Sequence, residues 1–223
     1  MSMNIAIDGP AGAGKSTIAK SLARKLGFVY VDTGAMYRAM ACYFLQNGIA
    51  AEDEQSVSGA CGEAVVTIAY ENGEQQVFLN GENVSGLIRT EEVSHTTSKI
   101  SVYPAVRKQL VELQQKLASD TDVIMDGRDI GTCVLPNAQV KIFLTASSAV
   151  RAKRRYDELL ARGESCELNE IEQDIIERDE RDMSREVSPL KQADDAVFVD
   201  TSYMSVEQVV ETLLSIYEEK CCK

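Results

Sequence analysis

The nine residues Gly9-Pro10-Ala11-Gly12-Ala13-Gly14-Lys15-Ser16-Thr17 constrain what this chain can fold into more than any other stretch. They follow an apolar run, Met3-Asn4-Ile5-Ala6-Ile7-Asp8, and lead into Ile18-Ala19-Lys20-Ser21-Leu22-Ala23-Arg24-Lys25-Leu26. The spacing Gly-x4-Gly-Lys-Ser/Thr matches the phosphate-binding loop at every fixed position, with a strand expected before it and a helix after it. Glycines let successive backbone N–H groups turn towards one anion, and the helix aims its positive end at the same point. In such a loop Lys15 reaches the outer phosphates and the Ser16 hydroxyl binds magnesium. Average residue frequencies put a chance match in 223 residues at roughly one in a hundred.

The bulk numbers narrow the class. A chain of 223 residues can bury one substantial core, and 44% apolar with 26% charged residues is ordinary for a globular protein. No apolar run approaches the length of a membrane span. The first apolar run is short, ends at Asp8 and lacks a basic start, so no signal peptide and a cytoplasmic location are expected. A net charge of −12 argues against a nucleic-acid or acidic-membrane partner, since both want a basic face. It leaves room for a small phosphorylated ligand held by a local group of Arg and Lys. The six cysteines (Cys42, Cys61, Cys133, Cys166, Cys221 and Cys222) form no C-x-x-C pair, and His95 is the one histidine, so free thiols and no zinc site are expected.

The order of elements reads as α/β. A helix from about Lys15 to Leu26 buries Ile18, Leu22 and Leu26 and stops at Gly27. Phe28-Val29-Tyr30-Val31 reads as a strand closing at Asp32, and a helix follows from about Thr33 to Asn47, with Gly48 as its stop. Strand, helix, strand, helix implies a parallel sheet with right-handed crossovers. The pattern then changes: Val65–Tyr70 and Gln75–Leu79 flank Asn72-Gly73, a strong hairpin signal, and Asn83–Gly86 suggests a third short strand. Residues from Thr90 to Ser119 read as helical, with a break at Tyr103-Pro104. Asp122–Asp126 and Val140–Leu144 read as strands around a polar loop, Gly127-Arg128-Asp129-Ile130-Gly131-Thr132. Ser147 to about Arg185 reads as two charged helical segments divided by Gly163, the second ended by Ser188-Pro189. Ala196–Asp200 is the last strand and Ser205 to about Lys220 a closing helix behind a serine cap.

Three constellations suggest phosphoryl transfer onto a small acceptor. Asp32-Thr33-Gly34-Ala35-Met36-Tyr37-Arg38 lies past a strand at the carboxyl edge of the sheet, where ligands bind in open α/β folds. Arg38 could fork onto a phosphate there. Asp126-Gly127-Arg128-Asp129 also follows a strand, and a strand-closing Asp can act on magnesium through water. The arginine-rich helices from Arg151 to Arg185 can supply charge to a transferred phosphoryl group, although most of their charges should form a solvated face with pairs such as Glu177–Arg181. His95 is expected on the surface, and nothing marks Cys133 as a nucleophile.

Taken together, Ile7–Thr17, Asp32–Arg38, Ile88-Arg89-Thr90-Glu91-Glu92-Val93, Asp126–Thr132 and Arg178-Asp179-Glu180-Arg181-Asp182 resemble the bacterial-type cytidylate kinase family, a family of nucleoside monophosphate kinases. The blocks run in register over essentially the whole chain. The hairpin insert between Val65 and Val84 looks like the extended monophosphate-binding lobe of that family.

The resemblance implies an α/β, P-loop NTPase three-layer fold with a five-stranded parallel sheet, a small inserted antiparallel β lobe and a helical lid. It implies one domain over residues 1–223, with core segments 1–32, 103–146 and 187–223, a monophosphate lobe at about 33–102 and a lid at about 147–186. It implies ATP- and Mg²⁺-dependent conversion of CMP or dCMP to CDP or dCDP by a monomer. Gly9, Pro10, Ala11, Gly12, Ala13, Gly14, Lys15, Ser16 and Thr17 would hold ATP, with Ser16 on the metal. Arg38, Arg128 and Arg185 would hold the CMP phosphate; Ser98, Arg107 and Asp129 would read the cytosine; Asp182 with Arg178 would hold the ribose; Thr33 would line the pocket. Lys15, Arg128, Arg154 and Arg185 are the implied catalytic residues, and Arg155 shares the lid region. The nearest alternative is a kinase of the same fold acting on AMP, UMP or shikimate. A GTP switch is disfavoured, because the chain has no Asn-Lys pair for a guanine-reading segment.

Overall fold

The computed structural model describes residues 2–221, so Cys222 lies outside the described residues. The chain runs β1 (Asn4–Asp8), α1 (Lys15–Leu26), β2 (Val29–Asp32), α2 (Thr33–Gln46), α3 (Glu54–Ala60), β3 (Val66–Glu71), β4 (Glu74–Leu79), β5 (Glu82–Asn83), α4 (Glu91–Ile100), α5 (Pro104–Asp120), β6 (Val123–Gly127), β7 (Val140–Thr145), α6 (Ser148–Ala161), α7 (Leu168–Ser184), β8 (Val197–Asp200) and α8 (Val206–Cys221). Two compact units emerge, one of residues 1–30 with 121–223 and one of residues 31–120.

The first unit is built on the five-stranded parallel sheet, in the order β2-β6-β1-β7-β8. β1 lies parallel to β6, with Asp8 opposite Gly127, and parallel to β7, with Asp8 opposite Phe143. The middle of the central strand is apolar because both its faces are covered; Ile5, Ala6 and Ile7 have no exposed surface. Helices α1 and α8 pack on each other, α1 against β6 and α8 against β7. Ile18 and Leu22 of α1 meet Val209 and Leu213 of α8 in one core with Ile124 and Ile142. Gly27 closes α1 in the left-handed conformation, its N–H on the Ala23 carbonyl.

The second unit holds a three-stranded sheet, β3-β4-β5, and the helices α2 to α5. Its hairpin turns at Asn72 (φ 52°) and Gly73 (φ 77°), two consecutive left-handed residues that match the twist of the strands. α2 is the spine of this unit. It packs on α4, α5, β3 and β4, and Met36, Met40 and Phe44 are fully buried.

The expected strands and helices are present, with three differences. Helix α3 has no counterpart in the sequence reading; its signal is the Asp53 cap, which accepts from the Ser56 N–H at 3.1 Å, on a helix that buries only Val57. Residues 130–134 form a π-helical turn rather than an open loop, because the Asp129 carbonyl takes N–H groups from both Cys133 and Val134. Helix α7 ends at Ser184, short of Ser188-Pro189, because Arg185 is already extended (ψ 139°). Among the described residues no helix is long and apolar enough to cross a membrane, and the five described cysteines are free.

Candidate active site

The phosphate loop leaves β1 through Gly9. Its φ is +150°, and a Cβ there would stand 1.9 Å from the Leu144 carbonyl oxygen, so only glycine lets the chain turn beside β7. The loop then reaches α1, whose N-cap is Gly14. Lys15 is buried, and its ammonium folds back over the loop to donate to the Pro10 carbonyl at 2.8 Å. Burial pushes the Lys15 pKa down, and the Arg128 guanidinium adds to this; Asp126 and Asp8 act the other way. An anion placed on the loop would oppose both downward effects.

The Ser16 hydroxyl donates to Asp126 Oδ2 at 3.0 Å, and Asp126 Oδ1 accepts from the Tyr30 hydroxyl at 2.8 Å. A hydroxyl beside a carboxylate at the end of β6 is a hard-oxygen pair that suits magnesium, an ion commonly held by one or two protein oxygens with substrate phosphates. Asp8 does not join this pair. Both its oxygens accept backbone N–H groups, from Ile130 at 2.7 Å and Gly131 at 2.7 Å. Burial raises the Asp8 pKa to about 6, against the lowering effect of those two bonds; Asp129 raises it and Lys15 lowers it.

A second cluster in the same unit gathers Arg128, Asp129, Arg178, Asp182 and Arg185. Arg128 Nε donates to Asp182 Oδ2 at 2.8 Å. Arg185 lies 4.0 Å from both Asp129 Oδ1 and Asp182 Oδ1, and its Nε donates to the Ser188 carbonyl at 2.5 Å. Ser188 adopts φ 50°, a left-handed conformation directly before a proline, where it is disfavoured. The turn that seats Arg185 is therefore strained. Burial pushes the Asp182 pKa up, but Arg128, with Arg178 and Arg185, pulls it further down, so the carboxyl titrates below its ordinary range.

The helical pair α6–α7 departs from a solvated face at one point. Arg151, which no local pattern singles out, is buried. It donates from Nε to the Ala146 carbonyl at 2.8 Å, from Nη1 to the Ala11 carbonyl at 2.9 Å and from Nη2 to Asp179 Oδ2 at 2.5 Å. One guanidinium thus ties α6 and α7 to the phosphate loop. The one available signal is the three-residue spacing of Asp179 and Asp182, both buried on α7. Arg154 reaches the Thr201 carbonyl at 2.9 Å, and its Nη1 lies 3.8 Å from where a Cβ on Gly14 would be. Arg155 pairs with Glu158 on the surface. The expected Glu177–Arg181 ion pair is replaced: Arg181 Nε donates to the Glu177 backbone carbonyl at 3.2 Å, and among the described residues the Glu177 carboxylate accepts from Gln173.

Within the second unit, Asp32 caps α2 by accepting from the Ala35 N–H at 2.8 Å and pairs with Arg38 Nη2 at 3.1 Å. Thr33 is buried beside it. Gln75 of the hairpin holds the Asp32 backbone at both ends, accepting its N–H at 2.8 Å and donating to its carbonyl at 3.3 Å. Arg107 is buried; its Nη1 donates to the Tyr37 hydroxyl at 3.3 Å and to the Ser101 carbonyl at 3.5 Å. Ser98 is half-buried in the last turn of α4. His95 is exposed near Glu91, and Cys133 is exposed.

The parallel sheet and the glycine loop between β1 and α1 define a P-loop kinase fold, shared with a solved shikimate kinase from Bacteroides thetaiotaomicron (TM-score 0.50, 16% identity, 97% of this chain and 98% of that one). At that identity the likeness speaks for the fold alone. The sequence relationship goes further: the family model described as Cytidylate kinase matches residues 5–219, and the chain belongs to the cytidylate kinase family. It is 50% identical over 218 residues to a cytidylate kinase from Carboxydothermus hydrogenoformans, covering 98% of each chain. It is 52% identical over 217 residues to one from Listeria innocua, covering 97% of this chain and 96% of that one.

These buried charges can be tested at two positions. Arg151→Ala leaves the Asp179 carboxylate buried without its partner, and denaturant titration is expected to show a loss of about 3–5 kcal/mol. An unchanged midpoint would remove the staple from the fold's energetics. The second concerns Asp8. Its folded pKa of about 6 exceeds the ordinary 3.8, so its favourable contribution is complete below about pH 4 and is lost as pH rises through 6. The Asp182 shift lies below that window and does not mask it. The stability of the wild type relative to Asp8→Asn should therefore fall by about 3 kcal/mol from about pH 4 to about pH 7. A pH-independent difference would contradict the raised value.

Proposed function

We propose that this protein transfers the γ-phosphoryl group of ATP to CMP and dCMP, releasing ADP and CDP or dCDP. The observation that carries the reading is the pairing, in one unit, of the phosphate loop with the Arg128–Asp129–Asp182–Arg185 cluster. Family membership over residues 5–219 supports the choice of cytidine.

Gly9 to Thr17 hold the ATP phosphates with Lys15 over the outer ones, and Ser16 with Asp126 would hold Mg²⁺. Magnesium bound there would offset charge on the phosphate oxygens. Arg128 and Arg185 bind the acceptor phosphate, Asp129 accepts from the cytosine amino group, and Asp182 with Arg178 holds the ribose. Thr33, Arg38, Ser98 and Arg107 are assigned to the same substrate, Arg38 to its phosphate and Ser98 with Arg107 to its base. Arg154 is the catalytic arginine of the α6–α7 lid. The acceptor is a phosphate oxygen, anionic near neutral pH, so the reaction needs no strong general base. Its difficulty is bringing two anions together, which arginines on the acceptor and a lysine on the donor relieve. Uracil offers a carbonyl oxygen where cytosine offers the amino group. Facing Asp129 it loses a hydrogen bond and meets repulsion, which gives selectivity by orders of magnitude. The enzyme is proposed to work as a cytoplasmic monomer without a nucleic-acid partner.

A coupled ATP assay over CMP, dCMP, UMP and AMP tests the substrate. CMP is expected to give the highest kcat/KM; turnover of UMP or AMP well above CMP would overturn the cytidine assignment. Asp129→Ala is expected to cut the CMP-over-UMP preference at least about tenfold with ATP binding retained. A constant preference would remove the base-reading role.

A further inference from the structure

We infer that Asp8 is a positioning residue for the acceptor-binding loop, holding Asp129 in place through the backbone N–H groups of Ile130 and Gly131. The inference rests on the proposed function and deepens it. Asp8 is the last residue of β1 and the residue immediately before the phosphate loop, so its backbone belongs to the donor side. Its carboxylate reaches the other way, across the register that sets Asp8 opposite Gly127, to the loop that follows β6.

Two aspartates divide the labour at this loop. Residues 130–134 form one helical turn, and the first N–H groups of any helical turn lack partners within it. The N-cap of this turn is Asp129, a residue type whose side chain ordinarily caps. Here it makes no capping bond. Its carboxylate is directed instead towards Arg185 at 4.0 Å, while the capping is done from outside the turn by Asp8, at 2.7 Å to each N–H. The bond to Ile130 fixes the plane of the peptide whose carbonyl belongs to Asp129. The Asp129 carbonyl is then locked on its far side by the N–H groups of Cys133 and Val134. Asp129 is thus held by its backbone.

Gly131 completes the arrangement. A Cβ there would lie 3.3 Å from Asp8 Oδ2 and 3.2 Å from the Lys141 side chain, so the glycine lets the carboxylate approach this closely. Lys141 cannot easily give way, since its ammonium is bound to the Pro136 carbonyl and to Asp195.

The test compares Asp8→Asn, Asp8→Ala and Gly131→Ala, measuring KM for CMP and for ATP separately, the CMP-over-UMP ratio, and hydrogen exchange at the amides of Ile130 and Gly131. A positioning role predicts that Asp8→Ala raises KM for CMP about tenfold or more and narrows the CMP-over-UMP ratio, with KM for ATP changed less than about twofold. Asp8→Asn keeps one acceptor and should fall between wild type and Asp8→Ala. Gly131→Ala pushes on the same contact from the opposite side and should give the same split. Exchange at Ile130 and Gly131 should speed up in Asp8→Ala, with β1 amides still protected. An equal rise in both KM values, or unchanged exchange at those two amides, would overturn the inference. If Asp8→Ala fails to fold, the other two variants carry the same comparison. Failure of the wild type to use CMP would instead overturn the substrate reading, and the exchange measurement would still decide the role of Asp8.

Discussion

The approach of Gly9 to the Leu144 carbonyl is the contact on which the rest of the site depends. The 1.9 Å that a Cβ would leave there forbids any other residue. With glycine in place, β1 can end at Asp8 and the chain can turn beside β7 into the phosphate loop. Two consequences follow from that one turn. The loop is set at the N-terminus of α1, where backbone N–H groups and the helix dipole favour an anion. The Asp8 side chain is set on the opposite course, towards the loop after β6. Sheet register, and nothing more elaborate, brings the phosphate loop and the loop after β6 together in this unit.

Burying so much charge in a small region requires that the charges answer one another. Arg151 is matched by Asp179 and two backbone carbonyls, Arg128 by Asp182, and Asp8 by two N–H groups. Lys15 is the exception. It is held by one carbonyl, lies near Arg128 and has its pKa lowered mainly by burial. A cation kept in that state is stabilised by an arriving phosphate more than a solvated one would be.

Where the fold could be read from the sequence, the information was local. Asn72-Gly73 announces its hairpin because two left-handed residues suffice to make that turn, and α1 is legible from end to end because its loop, apolar spacing and Gly27 are contiguous. The residues proposed for the acceptor are singled out in the sequence only by five motif blocks together, since no single Arg or Asp distinguishes itself on a charged helix. Features that depend on distant partners were not legible. Arg151 looks like its exposed neighbours Lys153 and Arg155 until Asp179, 28 positions on, and the Ala11 carbonyl close around it. The α3 helix buries too little to leave a periodic pattern, and the π-helical turn at 130–134 takes its cap from Asp8, 122 positions earlier.

The same geometry reconciles an acidic chain with an anionic substrate pair. A net charge of −12 surrounds the protein with a field that disfavours polyanions in general. Within the cluster around Arg128 the balance reverses: the guanidiniums of Arg128, Arg178 and Arg185 stand against the carboxylates of Asp129 and Asp182. Local charge governs because Asp129 and Asp182 are buried and the three arginines half-buried, where screening is weaker and separation is a few ångströms, whereas the surface acids are screened within about 10 Å. Asp182 holds Arg128 at a fixed angle by a single short bond, so the guanidinium is oriented before any ligand is present, and less of the binding energy goes into ordering it.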